Sequence, residues 1–75
     1  MLLSELQLKQ KAVVKGFKEQ SSLNDRLMEL GVVPGTEILL KRYAPFGDPM
    51  EVAIRGYSLS IRKKDAEKIL IELGA

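Results

Sequence analysis

Apolar residues along this chain come in short runs, and the period of their alternation with polar residues changes several times. Leu3 and Leu6 stand at helical spacing, which predicts one short turn within residues 2–8 packed on the body. Residues 11–17, KAVVKGF, set β-branched valines between lysines and read as a strand. Leu23, Leu27 and Leu30 recur at i, i+4 and i+7, one apolar stripe on a helix over about residues 23–30, with Met28 at its edge or in solvent. Ser22 and Asp25 have the S-x-x-D spacing of a capping box, and Gly31 is placed to close the helix with positive φ.

Beyond the Pro34-Gly35 turn the period becomes two. Ile38 and Leu40 face one way, while Glu37, Leu39, Lys41 and Tyr43 face the other. Met50, Val52 and Ile54 alternate with Glu51, Ala53 and Arg55, and Leu59 and Ile61 continue the pattern. Gly56-Tyr57 between these runs predicts a two-residue hairpin of type II′, with glycine at the first central position. Residues 63–68 form a polar helical turn, and Ile69, Ile71 and Leu73 make a last strand. Strands this short cannot bury their faces as a flat sheet, whereas curling into a small barrel covers inner side chains and edges. The expected fold is all-β, or small α+β: a five-stranded SH3-like barrel with one inserted short helix, a single domain over residues 1–75.

Composition narrows the chemistry. The chain has 75 residues, near the lower limit for unaided folding, which suits it to presenting a surface rather than a deep cleft. It has no cysteine and no histidine, so thiolate and imidazole metal sites and the commonest general base are excluded. The carboxylates are scattered, with no EF-hand spacing. No catalytic residue, metal ligand or cofactor motif is assigned, and no enzyme activity is expected. The net charge of +2 does not demand a nucleic-acid partner. The apolar runs fall far short of the roughly 20 residues that cross a bilayer. Residues 1–11 lack a signal-peptide core, so the expected location is cytoplasmic.

The candidate partner-binding residues are Met28, Pro45, Phe46, Gly47, Asp48, Arg55 and Tyr57. The loop they centre on is bracketed by Pro45 and Pro49, so a partner meets a surface already restricted in freedom. Phe46 either anchors a partner from the tip of that loop or folds back over a barrel end. Asp48 is expected to order the turn through its own backbone. Ser22, Gly31, Pro34, Gly35, Pro49 and Gly56 are read as caps and turns. The cluster Arg62, Lys63, Lys64 and Lys68 is a solvated face, or a contact for acidic groups or headgroups.

The segments RLMELG (26–31), PG (34–35), APFGDP (44–49), RGY (55–57) and LSIRKKDA (59–66), in this order and at these separations, resemble the FeoA family of bacterial ferrous iron transport accessory proteins. The resemblance covers nearly the whole chain. It implies an SH3-like barrel that binds FeoB, a membrane ferrous transporter with a cytoplasmic GTP-binding domain, and modulates its GTPase or transport activity. Recruitment to the inner face of the membrane and weak homo-oligomerisation are compatible with that role. A sharper version makes Arg26, Arg42 or Arg55 an arginine finger. The alternative is an RNA-binding small barrel, against which stands the lack of aromatic residues interleaved with the basic cluster.

Overall fold

The computed structural model describes residues 1–74. Five strands, β1 (Lys11–Phe17), β2 (Glu37–Tyr43), β3 (Met50–Ile54), β4 (Tyr57–Ile61) and β5 (Ile69–Leu73), form one antiparallel sheet in the order β4-β3-β2-β1-β5. The helix α1 (Ser22–Glu29) is inserted between β1 and β2, and a single helical turn, α2 (Lys63–Ala66), joins β4 to β5. The sheet curls around one core built from the inward positions of all five strands. This is the SH3-like barrel with one inserted helix that the alternation predicts.

The N-terminal residues close one side of the core. Leu3–Glu5 form a 3-10 turn that buries Leu3 and Leu6. Leu2 bridges Leu70, the Ile71 amide donates to the Met1 carbonyl (2.8 Å), and the Tyr43 hydroxyl donates to the Leu6 carbonyl (3.1 Å). The outer edge of β5 is thereby covered.

Helix α1 starts one residue earlier than the capping-box spacing implies. Ser21 is the cap, its hydroxyl accepting from the Leu23 amide, and Ser22 is the first helical residue. Because the box pairs the cap with the residue three positions on, and Asn24 stands there, Asp25 cannot complete it. Asn24 instead turns inward and donates to the Glu19 carbonyl (2.7 Å). At the other end the Gly31 amide donates to the Met28 carbonyl and the Val32 amide to the Leu27 carbonyl, both at 3.0 Å, with Gly31 at φ +106°. That is a Schellman close, and buried Val32 packs in the core with Leu27 as such motifs favour. The predicted stripe is only partly core: Leu27 is 7% exposed, Leu23 is half-buried and Leu30 is 38% exposed.

Two departures from simple alternation redirect side chains. The β2–β3 register shifts between Leu40 and Arg42, so Tyr43 pairs with buried Met50 and lies on the core face, not the outer face that its odd number implies. In the β3–β4 hairpin Ile54 pairs with Tyr57, which makes Arg55-Gly56 the two loop residues. Both have positive φ, +50° and +86°, the signature of type I′ rather than the expected II′ turn at Gly56-Tyr57. The Pro34-Gly35 turn forms as read, closed by the Thr36 amide on the Val33 carbonyl (3.1 Å), with Gly35 at φ +93°.

Candidate functional site

The candidate residues fall into two groups at opposite ends of β3, a strand of five residues and therefore about 13 Å long. Pro45, Phe46, Gly47 and Asp48 occupy the β2–β3 loop. Met28, Arg55 and Tyr57 gather where α1 ends. The structure does not join them into one contiguous patch.

The first group is a built loop. The Ala44 amide donates to the Pro49 carbonyl (2.9 Å) and the Gly47 amide to the Ala44 carbonyl (2.7 Å), with Gly47 at φ +87° and a cis peptide between Asp48 and Pro49. Asp48 does not order its own turn. Its carboxylate accepts from the Lys63 amide at 2.9 Å, capping α2 across the chain, where Arg62 offers no side-chain cap. With both ends and the middle of the loop held, Phe46 projects from its tip and is 99% exposed. It does not fold back over the barrel. Below the loop a cleft of about 250 Å³ is bordered by Tyr43, Pro45, Pro49 and the Arg42–Glu51 ion pair. Glu51 Oε1 is buried against Arg42 Nε in that pair.

The second group centres on Gly31. A Cβ there would lie 2.8 Å from Arg55 Cδ and 3.3 Å from the Tyr57 hydroxyl, so both side chains lie across the helix end. Met28 and Tyr57 remain substantially exposed beside them. Of the three arginines considered as fingers, Arg42 is engaged by Glu51, whereas Arg26 and Arg55 form no ion pair among the described residues. Lys68 pairs with Glu19 at 3.9 Å, which leaves Arg62, Lys63 and Lys64 as the exposed part of the basic cluster.

A third feature escaped the sequence reading. Between α1 and β4 runs a cleft of about 390 Å³ with a mixed lining, apolar at Leu23, Leu27, Leu30, Leu59 and Ile61 and polar at Arg26, Ser60, Arg62 and Asp65. Its signal in the sequence is the stripe of Leu23, Leu27 and Leu30, of which only Leu27 is buried. Among the described residues, no three His, Cys, Asp or Glu side chains converge as a metal site would require, and no helix is long and apolar enough to cross a membrane.

The described residues form an SH3-like barrel that holds an exposed aromatic residue at a loop tip, a surface open to contact. The chain matches the FeoA domain over residues 1–73 and belongs to the FeoA family, whose members are accessory domains associated with ferrous iron transport. It is 37% identical over 73 residues to a fusion of Fe(2+) transport protein A and the Fe(2+) transporter FeoB from Porphyromonas gingivalis, covering 97% of this chain. The chain spans only 9% of the length of that fusion protein. The FeoA protein of Chlorobium tepidum superposes with a TM-score of 0.92 at 39% identity, covering 100% of this chain and 71% of the other. The FeoA of Stenotrophomonas maltophilia, solved with zinc and described as a prokaryotic SH3 domain protein, gives 0.81 at 30% identity, covering 96% and 89%.

Proposed function

We propose that this domain docks on the cytoplasmic GTP-binding domain of a FeoB-type ferrous transporter and modulates its GTPase or transport activity. The observation that carries the reading is the relative in which the same domain and FeoB share one polypeptide. Physical fusion keeps two domains at a high effective concentration, an arrangement useful chiefly when they meet. Phe46 supports the reading from this chain's side, because a fully exposed aromatic on a loop already held by hydrogen bonds is costly to leave in water and cheap to order on a partner. Direct chemistry by the domain has no comparable support.

The aromatic residues argue against the RNA-binding alternative. Phe17 packs on the core, Tyr43 is tied to Leu6, and Phe46 and Tyr57 lie at opposite ends of β3, so no stacking platform forms.

The test is GTP turnover by the isolated cytoplasmic domain of the transporter, with and without this protein, alongside a pull-down in each nucleotide state. Changed turnover together with nucleotide-sensitive capture is the expected result. Unchanged turnover and no capture in any state would sink the proposal.

A further inference from the structure

We infer that the cleft between α1 and β4 is a second docking site, which takes an extended, acidic segment of a partner protein as a sixth strand on β4. The inference rests on the cleft and on the β4 edge beside it, and stands whether or not the partner is the transporter.

The two edges of the sheet are treated differently. The β5 edge is covered by Met1 and Leu2. The β4 edge is not. A two-residue hairpin turn makes Ile54 and Tyr57 the pair that exchanges backbone hydrogen bonds, so Val52–Leu59 and Met50–Ile61 are bonded in turn. Ser58 and Ser60 consequently aim their N–H and C=O groups away from the sheet, and no other backbone group among the described residues meets them. An open edge of this kind is a template for a further strand.

The surroundings select what can bind there. Helix α1 stands across the cleft from β4, so a strand added to that edge would lie beside the helix. Alternate side chains of such a strand would enter the leucine-lined floor beside Leu59, next to Leu27 and Leu30. Arg26 and Arg62 border the floor, both exposed and neither in an ion pair, against the single carboxylate of Asp65. The border is cationic, so acidic residues between the apolar ones complement it. A second copy of this chain fits worse, because pairing β4 with β4 sets the same arginines of two cationic molecules against one another.

The probe is a seven-residue synthetic peptide alternating Glu with Leu, capped at both ends, titrated into the full chain to about 1 mM while backbone amides are followed by NMR. The expected result is saturable shifts and slowed hydrogen exchange at Ser58 and Ser60. Two twins carry N-methyl groups at either the Glu or the Leu positions, removing donors from one side of the strand. In an antiparallel complex the residues bonding Ser58 and Ser60 share their outward face and are the Glu positions; in a parallel complex they are the Leu positions. One twin is expected to bind at least about tenfold more weakly than the other. Arg26→Glu with Arg62→Glu, both surface changes, is expected to weaken the parent peptide by about tenfold. Equal affinity of the parent and both twins would overturn the inference, as would shifts confined to other surfaces, equal binding of a Lys-for-Glu peptide, or no saturation. Shifts at Ser58 and Ser60 that grow with protein concentration alone would overturn it in favour of a second copy.

Discussion

The Asp48 carboxylate accepts a hydrogen bond from the Lys63 amide at 2.9 Å, and through this one contact the loop that carries Phe46 is fixed to the turn that follows β4. A helix of four residues leaves its first amides without internal partners, and a carboxylate there satisfies one and opposes their partial positive charge. The loop gains rigidity from the same bond. Presentation of Phe46 is therefore coupled to α2, although the two lie in different connections of the barrel.

Asp48→Ala should destabilise the protein by about 1 kcal/mol, the usual worth of such a cap. Thermal unfolding measures that loss. Hydrogen exchange should quicken together at Lys63 and Gly47, since one bond orders both segments. Acceleration at Lys63 alone would show that the loop holds itself.

Gly31→Ala should cost about 1–2 kcal/mol, because alanine is strained at φ +106° and its Cβ would meet Arg55 at 2.8 Å. The two contributions separate. Arg55 is a long side chain and can swing aside, so adding Arg55→Ala to Gly31→Ala should recover only the clash. Denaturant unfolding of the two single variants and the double variant gives the coupling energy. Full recovery in the double variant would mean that the backbone strain is negligible.

The strands and their inward residues were legible because alternation reports burial directly, and Ile38, Leu40, Val52 and Ile54 are core residues as their spacing requires. What was not legible turns on single backbone events. The bulge beside Lys41 moves Tyr43 across the sheet, and no residue type announces it. The hairpin pivots on Arg55-Gly56 because Ile54 and Tyr57 complete the register set by Val52 and Leu59, a constraint that resides in the pairing and not in the glycine. Ser21 and Ser22 are chemically equivalent caps, and the inward turn of Asn24 accompanies the choice between them. The candidate site divides likewise. The two prolines marked the loop but left Phe46 either at its tip or folded back. The hydrogen bonds that decide for exposure, like the partner of Asp48 15 residues on, belong to the tertiary structure.

Leu27 and Leu30 share one helical stripe yet should behave differently. Leu27→Ala removes a side chain from the core and should cost about 2–5 kcal/mol, enough to unfold much of a domain this small. Leu30→Ala, at a position 38% exposed, should cost less than about 1 kcal/mol. Chemical denaturation decides it. Equal losses would place both residues in the core.

Phe46→Ala is the variant that separates binding from folding. The ring touches water on nearly every side, so its removal should leave the unfolding midpoint unchanged, within about 0.5 kcal/mol of wild type. If the loop is the anchor for the GTP-binding domain, the same change should weaken capture by at least about tenfold, the scale of an aromatic hot spot. Phe46→Tyr keeps the ring and should retain most of the affinity. Calorimetric titration of the three proteins against that domain gives the comparison. Undiminished affinity in the alanine variant would move the contact away from the β2–β3 loop, to the opposite end of β3 where Met28, Arg55 and Tyr57 surround the close of α1.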